Sequence, residues 1–338
     1  MEVFSPLYMP VLKWKAGEQA ALKALDQATR DRMIPLIELR SYSTAITASL
    51  CAGKLKECWN TRALFDCAGP DGMLTHWRLT TFDDMVAFAN AKSVKVIPVV
   101  NPDDAVFQQP ARSSKIAKCP LGIALRLRVK DVTTISNLAL AAKVAQAAAK
   151  WRISHVVVDL GVTPTVTNHA QLVSELNALV SDAYETHVVS GAYPNGYRQL
   201  TVGLNLIPRR DWLLWTDLHA KHNLLSSVGY GDFTVVAPDW EDKSGSGGVP
   251  TAYRYADSAQ WLIYKGTSNQ GSESFSISQL LVKHSAFRGA SCCLTDRTVI
   301  ARATTGAPTK TVKPGGAKEH ISEGVLHHLT LVTREQYP

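Results

Sequence analysis

Residues 121–161 read LGIALRLRVKDVTTISNLALAAKVAQAAAKWRISHVVVDLG, an apolar segment followed by an Ala-rich stretch with helical spacing and a second apolar segment. Short runs of Val, Ile and Leu separated by a helix are typical of parallel strands whose two faces are both covered. The pattern therefore predicts a strand–helix–strand unit, with strands at 121–128 and 155–161 and a helix at 132–150.

The same alternation extends in both directions along the chain. Short apolar segments recur up to residue 239, and most connections between them carry a helical pattern, as at 17–31, 80–92, 168–183 and 208–223. The predicted strands are residues 8–15, 33–40, 62–67, 94–100, 121–128, 155–161, 185–191 and 233–239. Eight such units predict an α/β fold, a (β/α)8 TIM-barrel-like domain, in which chemistry takes place at the carboxyl ends of the strands.

The pattern changes after residue 239. A Gly/Ser-rich loop at 240–250 leads into sequence richer in Thr, Ser and Tyr. Short strands are predicted at 253–256, 260–266, 297–304 and 326–333, with one helix at 276–287. The 338 residues exceed a minimal barrel of about 250 residues. We therefore expect a barrel over 1–239 and a β-rich C-terminal extension or cap over 240–338, packed at the barrel.

Composition narrows the class of protein. No run approaches the roughly 20 apolar residues that cross a bilayer, and the N-terminus lacks a secretory signal, so a cytoplasmic protein with no membrane partner is expected. The net charge of +7 favours anionic partners, although Lys and Arg are scattered along the chain. The six cysteines show neither CxxC pairs nor Cys/His spacing suited to zinc, so reduced, partly buried thiols are expected.

Charged residues cluster where the predicted strands end. Side chains alternate between the two faces of a strand, and the outward face of a barrel strand is covered by apolar helices. These charges are therefore predicted to point into the barrel near its mouth, paired with one another because an isolated buried ion is costly. They are Lys13, Lys15, Glu38, Asp66, Arg126, Arg128, Asp159 and Asp239.

This set of residues has two interpretations. It is either an ion-pair network that fills the top of the barrel without a ligand, or a site for an anionic, phosphate-containing ligand. In the second case Glu38, Asp66 and Asp159 are the candidate catalytic residues, as ligands of a divalent metal or as a general base. The candidate ligand-binding residues are Lys13, Lys15, Arg126, Arg128, Asp239 and Lys265. No motif fixes a cofactor.

The N-terminal run YMPVLKWKAGE at 8–18 and the segment PLIE at 35–38 carry a further signal, together with the late pair His327 and His328. In these features the chain resembles the beta protein family of bacteriophages and bacterial genomes. That family has a Tyr-x-Pro-x-Leu-Lys-x-Lys-x-Gly-Glu opening, a Pro-Leu-Ile-Glu strand and a late His-His pair. The resemblance implies a phage or mobile-element setting and a role in phage–host conflict, and it brings no assigned activity.

Three hypotheses about function follow. The leading one is a metal-dependent phosphodiester or phosphoryl hydrolase that acts on a nucleic acid or a nucleotide. The alternatives are a non-catalytic interaction protein of phage–host conflict with a structural polar barrel top, and a sequence-tolerant nucleic-acid binder. The partners would be an anionic small molecule, a nucleic acid or another protein. His327 and His328, placed on a strand, would point to opposite faces and could not both bind one metal.

Overall fold

The computed structural model describes residues 6–39, 47–69, 72–75, 77–129, 140–166, 168–196, 199–238, 251–268 and 271–337. Its strands are β1 (Met9–Lys13), β2 (Leu36–Glu38), β3 (Ala63–Asp66), β4 (Val96–Val100), β5 (Ile123–Arg128), β6 (Ile153–Val162), β7 (Glu185–Gly191), β8 (Gly203–Pro208), β9 (Val228–Asp232), β10 (Ala252–Ala256) and β11 (Gln260–Lys265).

The helices alternate with these strands as far as β9. They are α1 (Ala16–Ala24), α2 (Gln27–Arg30), α3 (Ala48–Cys58), α4 (Trp77–Asn90), α5 (Pro110–Ala117), α6 (Leu140–Ala148), α7 (His169–Asn177), α8 (Arg210–His222), α9 (Glu273–Leu281), α10 (Leu294–Thr305) and α11 (Ala317–Leu331). The first part of the predicted helix 132–150 and the loop 240–250 lie outside the described residues.

Eight parallel strands close into a barrel in the order β1-β2-β3-β4-β5-β6-β7-β9. The predicted (β/α)8 architecture is therefore confirmed. Apolar side chains on the inward faces form a core inside the barrel, which includes Val11, Leu64 and Val157. A larger apolar core lies between the strands and the surrounding helices. Because both faces of each strand are covered, the strands are almost continuously apolar, as the sequence indicated.

The eighth barrel strand is β9, and the strand predicted at 233–239 is wrong. Residues 233–238 form turns, with Thr234 at a φ of 53°, whereas the Gly-rich segment before them pairs with both β7 and β1. The glycines are needed for close approach: a Cβ at Gly231 would lie 2.4 Å from Cγ1 of Val189 and 2.6 Å from the carbonyl oxygen of Met9. The Gly-rich sequence of β9, which is typical of a turn, therefore forms a strand whose neighbours leave no room for a Cβ atom at Gly231.

The C-terminal part adds a three-stranded antiparallel sheet in the order β10-β11-β8. The strands predicted at 253–256 and 260–266 are confirmed as β10 and β11. Its third strand, β8, comes from the chain between β7 and β9, and pairs with β11 from Gly203 opposite Lys265 to Pro208 opposite Gln260. This sheet therefore ties the C-terminal residues to a segment of the barrel part, and the boundary at residue 239 stays a prediction.

The strands predicted at 297–304 and 326–333 are wrong, because these residues belong to α10 and α11. In α10 the buried residues Thr295, Val299 and Arg302 are spaced by four and three, as on one face of a helix. Thr and Val suggested a strand over a short window, but the longer helical period decides the structure. The hydroxyls of Thr330, near the end of α11, and of Thr333, in the turn that follows it, donate to carbonyls four residues earlier, so these two buried hydroxyls are satisfied inside the protein.

Helix α11 also packs against α1, so that the end of the chain lies against its beginning. A Cβ at Gly17 would lie 2.8 Å from Cγ2 of Ile321, which is closer than real Cβ contacts allow. Glycine at this position therefore permits the close approach of the two helices. Across the residues that the structure describes, no helix has both the length and the apolar character needed to span a membrane.

Candidate functional site

Charged side chains form a ring at the carboxyl end of the barrel. Parallel pairing places Lys13 opposite Glu38 and Glu38 opposite Asp66 on β1 to β3, while Arg128 lies opposite Asp159 on β5 and β6. Each of these residues lies at or near the end of its strand, on the face that points inward. We call the set formed by Lys13, Glu38, Asp66, Arg126, Arg128 and Asp159 the barrel-mouth cluster.

Arg126 is the centre of this cluster. Its guanidinium is 1 % exposed and contacts carboxylates from three different strands. Nη2 lies 2.8 Å from Oε1 of Glu38 and 2.7 Å from Oδ2 of Asp159, and Nη1 lies 2.8 Å from Oδ2 of Asp66. Nε donates to the same Asp159 oxygen at 2.9 Å. Burial alone would lower the pKa of Arg126, but Asp159, Glu38 and Asp66 raise it above its ordinary value.

The two aspartates of the cluster have both carboxylate oxygens occupied. Asp66 accepts from the backbone N–H of Ala68 through Oδ1 and from both arginines through Oδ2. Asp159 accepts from the backbone N–H of Gly161 through Oδ1 and from Arg126 through Oδ2. Both carboxylates therefore fix the position of the Arg126 guanidinium. Glu38 has the most exposed side chain of the three acids, at 9 % against 2 % for Asp66 and 6 % for Asp159.

Arg128 and Lys13 lie above this buried layer. Nη2 of Arg128 lies 2.7 Å from Oδ2 of Asp66, and the arginine side chain is 18 % exposed. Its Nη1 is buried and has no hydrogen-bond partner among the described residues. The ammonium of Lys13 is half-buried and donates to the carbonyl of Ala237 at 2.7 Å. The mouth thus carries two cationic groups over an acid-rich layer.

Two predicted site residues lie elsewhere, and a third falls outside the described part of the chain. Lys15 is exposed and precedes α1, beyond the end of β1. Lys265 ends β11 of the three-stranded sheet, and its ammonium donates to the carbonyl of Leu200 at 2.8 Å. Asp239 lies outside the described residues. The structure therefore brings together six of the predicted residues, and the catalytic and binding roles assigned to them stay predictions.

A second polar network, which the sequence did not predict, is buried on the outer side of the barrel at the end of β9. The hydroxyl of Tyr8 donates to Oδ1 of Asp232 at 2.7 Å, and the hydroxyl of Tyr230 donates to Oδ2 at 2.8 Å. Nε2 of His328 lies 2.8 Å from the same Oδ2, and Arg209 lies 3.7 Å from it. We call this set, together with Asp211, the Asp232 network.

The charge state of this network follows from its surroundings. Burial alone would raise the pKa of Asp232, but His328, Arg209 and Tyr8 hold it well below its ordinary value. Burial lowers the pKa of His328 in spite of the carboxylate beside it. Burial raises the pKa of Asp211 to about 6. Two members of this network, Tyr8 and His328, belong to the motifs quoted above.

A third group combines two thiols with a carboxylate and an imidazole. Cys292 and Cys293 lie at the start of α10, Asp296 lies in its first turn, and His327 reaches them from α11. The two histidines lie on a helix and not on the predicted strand, and they point to different groups. His327 contacts Asp296, and His328 contacts Asp232. All six cysteines are free.

Comparison with known proteins gives one family. The family model described as Beta protein matches residues 8–334, from the bridge residue before β1 to the π-helical turn after α11. No curated protein matches the chain. The matched span contains the barrel, the three-stranded sheet and all three polar groups described above. The chain therefore belongs to the Beta protein family.

Proposed function

We propose that the barrel mouth binds an anionic, phosphate-containing ligand, with Arg128 and Lys13 as its cationic contacts. The observation that carries the proposal is the buried Nη1 of Arg128, which has no hydrogen-bond partner among the described residues, at the same end of the barrel as the half-buried Lys13. A planar guanidinium recognises phosphoryl oxygens with directed hydrogen bonds, and an ammonium adds a point charge. Arg126 has its charge matched by three acids, and one of them, Asp66, also holds Arg128.

The acid-rich layer under the two cations has a consequence for selectivity. The six residues of the barrel-mouth cluster comprise three acids and three cationic side chains, so an anion must be held by directed hydrogen bonds rather than by a general positive field. Small phosphate groups that reach Arg128 directly are therefore favoured over extended polyanions. A nucleotide or a short phosphate ester suits this arrangement better than a long nucleic acid.

The binding proposal is tested by calorimetric titration of the full chain with inorganic pyrophosphate and with a nucleoside diphosphate. Arg128→Gln should weaken binding by about 10- to 100-fold, the loss of a hydrogen bond between charged groups. Lys143→Gln is the matched control, because Lys143 is a surface cation paired with Asp103. A wild-type protein that binds neither probe would contradict the proposal and favour a non-catalytic interaction protein. Tight, steeply salt-dependent binding of oligonucleotides alone would favour the nucleic-acid binder.

Hydrolysis of the bound phosphate is the reaction that we propose, with Glu38 as the general base that takes a proton from the attacking water. Glu38 is chosen because it has the most exposed carboxylate in the cluster. A divalent metal would have to displace Arg126, since the oxygens of Asp66 and Asp159 are already engaged. Metal-dependent activity therefore requires that the cluster rearrange.

The test of hydrolysis uses bis(p-nitrophenyl) phosphate, with and without Mg²⁺ or Mn²⁺. Glu38→Gln should abolish nitrophenol release and leave pyrophosphate binding within a few-fold of wild type. Binding of pyrophosphate without turnover of the diester would contradict the proposed hydrolysis and leave the proposed binding supported. The setting that we propose is the cytoplasm of a bacterial cell during phage–host conflict, on the basis of family membership.

A further inference from the structure

The thiol group at the start of α10 has the donor set of a metal centre. Its four members are Cys292, Cys293, Asp296 and His327, and one ligand atom from each lies within 4.8 Å of the others. Two sulfurs, an imidazole nitrogen and a carboxylate oxygen are ligands of Zn²⁺, and softer thiolates exclude Mg²⁺ and Ca²⁺. Four converging ligands are the number that a closed, structural zinc site uses.

The distances between these ligand atoms suit one tetrahedral ion. Oδ2 of Asp296 lies 2.9 Å from Sγ of Cys293 and 3.1 Å from Nδ1 of His327, which is 3.9 Å from Sγ of Cys292. Zinc bonds of about 2.3 Å to sulfur and about 2.0–2.1 Å to nitrogen and oxygen place ligand atoms roughly 3.3–3.8 Å apart. The three distances lie within roughly 0.5 Å of that range, so small side-chain rotations suffice.

Outer hydrogen bonds orient the imidazole of His327 and the carboxylate of Asp296, as in known metal sites. Nε2 of His327 donates to the carbonyl of Ala256 at 3.0 Å, which directs Nδ1 toward the thiols. Oδ1 of Asp296 accepts from the hydroxyl of Tyr255 at 2.7 Å, and that hydroxyl accepts from the backbone N–H of Arg288. Metal-binding histidines and carboxylates are oriented by such outer hydrogen bonds.

The same geometry argues against a nucleophilic cysteine. In a Cys–His–Asp triad the two imidazole nitrogens have different partners, the thiol on one side and the carboxylate on the other. Here Nδ1 of His327 faces both Cys292 and Asp296, and Nε2 is engaged by a backbone carbonyl. No proton relay through the ring connects the acid with the thiol. All the inward-facing atoms point at one common position.

We propose that Cys292, Cys293, Asp296 and His327 bind one zinc ion that holds α10 and α11 together against β10. Binding releases the thiol protons and leaves Nδ1 of His327 as a neutral ligand. The residues are separated by 35 positions between Cys292 and His327, so the ion closes a long loop of the C-terminal part. Cys292 is only partly buried, which gives the ion a route from solvent.

The experiment measures zinc by elemental analysis in full-length protein purified under reducing conditions without a chelator. About one zinc per chain is expected, and Co²⁺ should replace it with the visible bands of tetrahedral cobalt and a thiolate-to-cobalt charge-transfer band. Cys292→Ser is the first variant, because the partly buried position tolerates serine, and His327→Ala is the second. Both should lose the cobalt spectrum and most of the zinc, while Cys119→Ser, at a buried thiol elsewhere, should keep both.

A second control separates this site from a surface group formed by His169, Asp217 and His222 on α7 and α8. His222→Ala should leave the zinc content and the cobalt spectrum unchanged. A folded wild-type protein that takes up neither metal would overturn the proposal. So would zinc that is lost in His222→Ala but retained in Cys292→Ser. Because pyrophosphate binding at the barrel mouth is measured separately, the two proposals can fail independently.

Discussion

Replacing Arg126 by Leu should destabilise the protein far more than replacing Glu38 by Gln. Arg126 is the only cation in direct contact with all three acids among the described residues, whereas Glu38 is one of three counter-ions. The leucine variant leaves three buried or nearly buried carboxylates facing one another, with Arg128 on one of them. Removing one partner of a buried ion pair costs about 3–5 kcal/mol, and we expect at least this loss.

The glutamine variant is expected to be mild. After Glu38→Gln, Arg126 keeps Asp66 and Asp159 through contacts of 2.7–2.9 Å, and the amide oxygen can still accept from Nη2. The net charge of Arg126, Arg128 and the three acids changes from −1 to 0, because three acids and two arginines become two acids and two arginines. The ion pair is replaced by a hydrogen bond from a charged guanidinium to a neutral amide oxygen, so a loss of about 1–2 kcal/mol is expected.

The assay is urea unfolding at pH 7.5, followed by circular dichroism, with free energies extrapolated to water. Glu57→Gln is the control, because Glu57 is a surface acid paired with Lys23 and Lys54, and its replacement should leave the free energy of unfolding unchanged within the error of the assay. Mild acid should restore part of the stability of the leucine variant by protonating its unpaired acids. Equal losses for the two cluster variants, or a leucine variant as stable as wild type, would refute the electrostatic account of the cluster.

Three further predictions concern other parts of the fold. Burial lowers the pKa of His187 to about 4, whereas a histidine in the unfolded chain titrates near 6.5. Between these pH values only the unfolded chain binds the proton, so the free energy of unfolding decreases as the pH is lowered. His187→Gln should therefore reduce the loss of unfolding free energy between pH 7 and pH 5 by about 2 kcal/mol, and an unchanged pH dependence would contradict this. Gly231→Ala places a methyl group 2.6 Å from a carbonyl oxygen of β1 and should lower the free energy of unfolding by about 1–3 kcal/mol or more. The control is Gly53→Ala, which has open space around its Cβ and should be neutral or stabilising in the same urea assay. Tyr8→Phe removes the donor to Asp232 and should cost about 1.5–3 kcal/mol, with a loss below the error of denaturant unfolding as the contrary result.

The barrel and its mouth were predictable because both follow from local periodicity. Alternation along a single strand assigns Glu38 and Arg126 to the inward face, and closure of the barrel then brings strand ends together whatever their separation in sequence. The same reasoning failed at β9. There the strand is Gly-rich, since Gly229 and Gly231 face His187 and Val189 too closely for a Cβ, and periodicity has no apolar side chains to act on.

The buried polar groups outside the barrel were not predictable from any local pattern. Asp232 is 224 residues from Tyr8 and 96 residues from His328, and no spacing rule connects positions so far apart. The thiol group has the same difficulty, because His327 lies on a helix where the sequence predicts a strand. Short windows rich in Thr and Val predict strands there. The residues that α10 and α11 bury follow a helical period, but they include polar side chains such as Asp296 and His327, so hydrophobicity along the sequence does not mark that period.

The motif residues that suggested the family can now be separated by what they contact. Tyr8 and His328 meet at Asp232, and Gly17 allows α1 to approach α11, so this part of the motif joins the two ends of the chain. Lys13 and Glu38 instead lie opposite each other at the barrel mouth. The first group is concerned with folding, because Tyr8 and His328 are fully buried. The second belongs to the proposed ligand site, where Lys13 is half-buried. Substitutions at Tyr8 should therefore reduce the amount of folded protein without changing the pyrophosphate affinity of what remains folded, and substitutions at Lys13 should do the reverse.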